Sequence, residues 1–255
     1  MVVGPGMASA LSGAGVLRAL HDQGIRIAAV AGVEFGALVT AAYAAAASTN
    51  KMDWSLLQFR RDWVSPREGL TRLISNSPRS SRELREGLRK IFRDQTLDSL
   101  KTPVWVLHSH EGRLSSSDSG TVSSSVCRAL SSAPWMEPCD VQGSTSFEDV
   151  SGQLRDQWER AGLRVPVVWV IPSRLVAPAG DRVATAIEAE IRAFARTVDS
   201  SRSDRDLVVA PPAVIDDYFN YSRRSEIIYS GRQEAKKHIE PWLSRLGWAR
   251  MKRSP

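Results

Sequence analysis

The segment Ile25 to Tyr43, IRIAAVAGVEFGALVTAAY, constrains the chain more than any other. An apolar β-type run ends in Gly32-Val33-Glu34-Phe35-Gly36, and an alanine-rich helical pattern follows to about Ala47. A strand that reverses into a helix within five residues needs small flanking residues, because side chains there collide with the helix it enters. The frame Gly-x-x-x-Gly is that of the G-x-S-x-G elbow, with glutamate where the serine stands.

Upstream, Met1-Val2-Val3 is a short apolar run stopped by Gly4-Pro5-Gly6, and Val16, Leu17 and Leu20 then share a helical face that Gly24 ends. With Ile25 to Ala31 read as a buried strand, the opening is β-α-β-α, the pattern of a parallel sheet covered by helices. Residues 51 to 100 read as amphipathic helix, with a Ser80-x-x-Glu83 capping box before Leu84, Leu88 and Ile91. Pro103 to His108 reads as a strand and Ser115 to Ser125 as a loop entering a short helix. Val165 to Ile171, a continuous apolar run bounded by Pro172, has the composition of a strand buried on both faces. Val183, Ile187, Ile191, Phe194 and Val198 mark a helix over 181–198, and Asp206 to Ala210 is a last short strand. The fold class expected is α/β, a single domain over 1–255 with a mainly parallel central sheet and helices on both faces.

A chain of 255 residues with 42% hydrophobic and 24% charged residues can bury a large core. Its longest apolar stretch falls far short of the roughly 20 residues a membrane span requires. Cys127 and Cys139 can pair at most once and have no C-x-x-C spacing, which excludes a disulfide scaffold and a zinc ribbon. No P-loop, dinucleotide fingerprint or cluster of zinc ligands is present, so no cofactor and no metal are expected. His108 and His110, two apart on a strand with Glu111 following, read as strand-end polar residues rather than metal ligands. No secretory signal is visible, which points to the cytoplasm. A first strand of three residues is short, and residues preceding Met1 would permit a periplasmic or membrane-attached placement.

At this point the order of motifs resembles the patatin-like phospholipase family. Gly15-Val16-Leu17-Arg18-Ala19-Leu20 leads through Gly24-Ile25 to the Gly32–Gly36 frame and Ala37, in the family's order and spacing. Leu97 to Gly112, Leu130-Ser131-Ser132-Ala133-Pro134 leading to Pro138, Asp206-Leu207-Val208-Val209 and Gly231-Arg232 extend the likeness over nearly the whole chain. The resemblance implies a three-layer fold and a lipid acyl hydrolase working through a Ser-Asp dyad and a glycine-rich oxyanion loop.

Each of those three parts departs from the family pattern here. Glu34 occupies the serine position. The dyad turn corresponds to Phe147-Glu148-Asp149-Val150-Ser151-Gly152, which puts Ser151 at the aspartate position, or Asp149 if the turn is shifted by two. The oxyanion loop reads Gly4-Pro5-Gly6-Met7-Ala8-Ser9-Ala10, in which Pro5 has no N–H to donate and Ser9 and Ala10 replace an expected Arg and Gly. A carboxylate is a poor nucleophile toward esters and brings negative charge to where an oxyanion forms. The expectation is therefore an inactive member serving as a binding or scaffold protein, with Gly4, Gly6, Gly32 and Gly36 as vestiges of the site and Glu34 structural or ligand-binding, its charge favoured by the helix N-terminus. An active hydrolase with a rearranged site and a lipid-binding carrier are the alternatives.

Charge distribution suggests where such a protein would bind. The 34 Lys/Arg exceed the 28 Asp/Glu by 6, and residues 220–255 alone hold nine basic residues against three acids. A basic C-terminal helix and tail at about 231–255 follows, in which Trp242, Arg245, Trp248 and Arg250 interleave aromatic and basic groups. That pattern suits a protein partner, an assembly or an anionic lipid surface, and nucleic acid is not expected. Of the remaining tryptophans, Trp54, Trp63, Trp105 and Trp169 are expected in the core.

Overall fold

The computed structural model describes residues 1–46, 48–66, 78–110, 113–117, 119–131, 135–139, 162, 165–175 and 180–248, with positions 108–110, 113–115, 117 and 201 described by backbone alone. Six strands form one sheet in the order β4-β3-β2-β1-β5-β6: β1 (Val2–Val3), β2 (Val30–Val33), β3 (Val104–His110), β4 (Arg113–Ser117), β5 (Val168–Val170) and β6 (Leu207–Val209). Five strands run parallel, and β4 returns antiparallel on β3 at the edge. The serine-rich stretch expected as loop thus contributes an edge strand, where polar residues are tolerated because one side lacks a neighbour.

The central strand β1 sets the depth of the sheet. Val2 pairs with Ala31 and Trp169, and Val3 with Gly32 and Val170, before Gly4-Pro5-Gly6 turns the chain away. Val2 and Val3 are fully buried on opposite faces. Strands β2 and β5 are shorter than the runs expected over 25–31 and 165–171, and β2 is displaced, pairing with β3 from Val30 to Val33. Ile25 to Ala29 lies before the ladder, with Ile25 and Ile27 half-exposed.

On one face lie α1 (Ser12–Asp22), α2 (Phe35–Ala46), α3 (Thr49–Leu57), α4 (Arg82–Phe92), α5 (Val122–Leu130) and α7 (Arg224–Arg245), which share the larger core. On the other, α6 (Arg182–Ser201) buries Phe194 and Val198 against Val33, Trp105, Leu107 and Trp169. Helices α1 and α7 cross so closely that a Cβ at Gly15 would run into the Ile228 carbonyl oxygen and one at Gly231 into that of Ser12. Arg232 closes the crossing with a 2.7 Å ion pair to Asp22.

Local chemistry departs from the sequence reading in two helices. The expected box of Ser80 and Glu83 does not form, because Ser81 is the N-cap of α4 and Glu83 is held 2.6 Å from Arg79. Helix α3, capped by Ser48, buries Met52 and Leu56, so Trp54 lies on the opposite side and is 68% exposed rather than in the core. Trp63 is half-buried, with Gly87 beneath its ring, while Trp105 and Trp169 are buried as expected. Cys127 of α5 and Cys139 form a disulfide.

Candidate functional site

In a doubly wound sheet, ligands meet the carboxyl ends of the strands where the winding reverses. Here the chain proceeds from β1 through β2 to β3 on one side and through β5 to β6 on the other, so the reversal falls at β1. Three segments converge there: Gly4–Gly6 after β1, Glu34 after β2 and 171–175 after β5.

Glu34 has φ +51°, a left-handed conformation rarely adopted by a residue with a side chain, and it joins β2 directly to α2. The two glycines make this geometry fit. A Cβ at Gly32 would overlap the Gly36 carbonyl, and one at Gly36 would overlap the Val3 carbonyl oxygen of the neighbouring strand. The Ala37 N–H bonds back to the Glu34 carbonyl at 2.9 Å, and the Thr40 hydroxyl donates to the Gly36 carbonyl at 3.0 Å, which closes the turn into the helix. The sharp elbow read from the Gly-x-x-x-Gly frame is present.

The side chain on that elbow is enclosed by its neighbours. Glu34 is buried, and its Oε1 receives no bond from any N–H or hydroxyl group. Its carboxyl faces that of Glu190 on α6 within hydrogen-bonding reach. Burial, and then the neighbouring Glu190 carboxyl, push the Glu34 carboxyl well above the usual range, and burial raises Glu190 as well. Glu34 and Glu190 thus form a carboxyl pair in which burial favours the neutral form of each. Burial acts on Glu34 against the helix N-terminus, whose effect on a carboxylate is about 0.3–2 kcal/mol.

In the loop after β1, three N–H groups are engaged by carbonyls. The Gly4 N–H bonds to the Val170 carbonyl at 3.0 Å, that of Ala8 to the Tyr218 carbonyl at 3.0 Å and that of Ser9 to the Gly6 carbonyl at 3.0 Å. Pro5 has none to offer. The Ser9 hydroxyl also donates to the Gly6 carbonyl, at 2.6 Å. Above this loop sits α6. A Cβ at Gly4 would strike the Phe194 ring, and one at Gly6 would crowd Ile191 and Pro172. On the other flank Phe35 packs edge-on to Phe59 at 5.0 Å and beside Tyr221 at 5.3 Å. All these groups are buried.

Asp149 and Ser151 lie outside the described residues, as does Arg250. Glu190, which supplies the second carboxyl, was missed in the sequence. A signal existed: it follows Ile187 by three and Val183 by seven, so a charged residue stands on the apolar face of its helix. His108 and His110 lie on β3. At the C-terminal helix the tryptophans divide. Trp242 is buried, donating its indole N–H to the Arg205 carbonyl at 2.8 Å, while Trp248 is 47% exposed and packs on it with ring centroids 6.1 Å apart. Trp242 is thus a packing residue, and Arg245 is partly tied, donating to the Asp206 carbonyl at 3.1 Å.

A mainly parallel sheet whose second strand turns through a left-handed residue into a helix, beside a glycine loop on the first strand, defines an α/β domain of the nucleophile-elbow type. The sequence matches the patatin-like phospholipase family over residues 1–208, and the chain belongs to that family. No curated protein sequence matches it significantly. Among solved structures, that of the type III effector protein ExoU is similar, with 13% identity, a TM-score of 0.36 and coverage of 94% of this chain and 52% of that one. The chain spans about half the length of that structure.

Proposed function

We propose that this patatin-like chain does not hydrolyse acyl esters and works as a binding or scaffold protein, in an assembly or at a lipid surface. The observation that carries the reading is Glu34. Acyl transfer needs a hydroxyl that can add to the carbonyl and N–H donors aimed at the oxygen that becomes negative. In their place stands a buried carboxyl, beside a loop whose Gly4, Ala8 and Ser9 donors are engaged by carbonyls. Losing one oxyanion donor typically costs about 100- to 1,000-fold in rate, and here the attacking group is replaced as well.

Family membership by itself favours the second reading, an active lipid acyl hydrolase with a rearranged site, and one experiment separates the two. Purified protein is incubated with short- and long-chain acyl esters and, separately, with a fluorophosphonate probe. The expected outcome is no turnover above buffer and no labelled residue. Turnover that Glu34→Gln abolishes would establish the active reading instead.

The binding surface fits the C-terminal segment from Arg232 to Arg253 better than the old active site. Residues 220–255 account for the whole positive surplus, and Trp248 presents an exposed apolar ring beside them. No helix among the described residues is long and apolar enough to cross a membrane, so any lipid contact made by them is peripheral.

A further inference from the structure

The amino ends of the parallel strands lie at the opposite end of the sheet from the elbow, and an apolar groove opens there. Ile25, Arg26, Ile27 and Val165 meet Trp242 and Trp248 around a cavity of about 90 Å³. Strand β2 begins at Val30 and β5 at Val168, so the segments that precede them run past the end of the ladder. Val165 is 48% exposed and Trp248 47%, Ile25 and Ile27 are half-buried, and buried Trp242 forms part of the floor. Single exposed apolar side chains are ordinary on a protein surface, but these line one groove.

Each segment that brings an apolar group to this groove also carries a cation. Arg26 stands between the two isoleucines, and in the sequence Arg164 precedes Val165 and Arg250 follows Trp248 by two. Beside them Lys101 precedes β3, the strand that pairs with β2. Arg26 and Lys101 are exposed, and neither forms an ion pair among the described residues. Residues 23–29, 99–103, 163–168 and 241–255 contain no Asp or Glu. Acids on the adjoining segments are engaged elsewhere. Asp22 pairs with Arg232 at 2.7 Å, and the Asp206 carboxylate accepts from the Val167 N–H at 3.0 Å and the Trp169 indole at 3.1 Å. Asp199 and Asp204 line a separate polar cleft that shares only Trp242 with the groove.

We propose that this end of the sheet docks on an anionic lipid surface, with Trp248, Val165 and Ile27 entering the headgroup layer and Arg26 and Lys101 meeting the headgroup anions. The proposal rests on the reading of the chain as a binding protein and gives that reading its partner. A cavity of about 90 Å³ cannot seat a partner's helix, whose diameter with side chains is about 10–12 Å. Interfacial docking needs only the shallow entry of separate side chains, about 5–10 Å deep. Tryptophan at headgroup level, and arginine stems along apolar surface with their heads in water, suit such an interface. Cations without an acid among them match its continuous negative potential. In this orientation the elbow, at the carboxyl ends of the strands, points away from the lipid, which agrees with a chain that draws no ester into that site.

The test is sedimentation of the full chain at low salt with phosphatidylcholine vesicles, and with vesicles in which about one third of the lipid is phosphatidylserine. Wild type should bind the second and not the first. Arg26→Gln combined with Lys101→Gln should weaken binding about fivefold for each residue replaced, with Tm unchanged because both side chains are exposed. Brominated acyl chains should quench the tryptophan fluorescence. Trp248→Phe should remove most of that quenching, whereas Trp54→Phe, on the exposed side of α3, should not. No binding to the anionic vesicles, equal binding by the double variant, or quenching that depends on Trp54 would overturn the docking face. So would a dimer that Val165→Ser dissolves, since a second copy would then fill the groove. Fatty acid release from the same vesicles is measured in parallel. Release would end the non-catalytic reading and leave the docking face to the binding data, whereas absent binding without release would end the docking face alone.

Discussion

Glu34 and Asp206 are two buried carboxyls with opposite solutions to the same problem. Burial raises the pKa of Glu34, whereas the donors around Asp206 lower its own. Burial alone would raise Asp206, but N–H bonds from Val167 at 3.0 Å and Ser203 at 3.1 Å, with the Trp169 indole at 3.1 Å, bring its pKa below the normal value. Its stabilisation is present above the unfolded pKa and lost as pH falls through the folded one. Asp206→Asn should therefore cost about 1.5–3 kcal/mol near neutrality, the range for hydrogen bonds to a charged group, and the deficit should shrink toward acid pH. Urea melts of both proteins across pH 3 to 7 check this, and a pH-independent deficit would contradict it. The legibility of these residues in the sequence differed for physical reasons. Glu34 stood in a frame of fixed spacing, which local sterics dictate. Its partner Glu190 is 156 positions away, and only the winding of the sheet brings them together.

At the scale of elements, local periodicity was a sound guide to where helices and strands exist, and pairing decided how long they are. The parallel strands, the elbow and the helix over 181–198 could be read because apolar period and turn chemistry are local properties. The bounds of β2 and β5 could not, since pairing with strands distant in the chain sets them, and the failed capping box depended on Arg79 reaching Glu83 first. The crossing of α1 and α7 makes a sharper prediction. The groups that a Cβ at Gly15 or Gly231 would meet are backbone atoms of the facing helix, which no rotamer change can clear. Gly231→Ala gains helix propensity of about 1 kcal/mol, yet overpacking typically costs about 1–3 kcal/mol and here must separate two helices. The net effect expected is destabilisation, visible as a lower Tm for Gly15→Ala and for Gly231→Ala. An unchanged or raised Tm would mean that the helices do not cross as described.

The whole molecule combines a nearly neutral body with a basic end, and the two parts of that end differ in what they can do. Within α7, Trp242 is core and Arg245 bonds to the Asp206 carbonyl, so changes there act first on folding. Beyond the helix, Trp248 is exposed, and Arg250, Lys252 and Arg253 follow it in the sequence. If the segment carries the principal interaction, its contribution should be electrostatic and additive with an aromatic anchor of the kind enriched at interfaces. Replacing Arg250, Lys252 and Arg253 by glutamine should leave Tm within about 1–2 °C of wild type, because surface substitutions away from packed features are nearly neutral. The same variant should bind proteins that co-purify with the native chain more weakly, and anionic liposomes about 100-fold more weakly, at roughly 1 kcal/mol for each basic residue removed. Wild-type binding should itself weaken from 0.05 to 0.5 M salt, since exposed charges are screened over about 10 Å at 0.1 M. Adding Arg245→Gln should lower Tm as well, separating the packing role of the helix from the binding role of the tail. Unchanged binding by a folded triple variant at low salt would remove the C-terminal segment as the interaction surface.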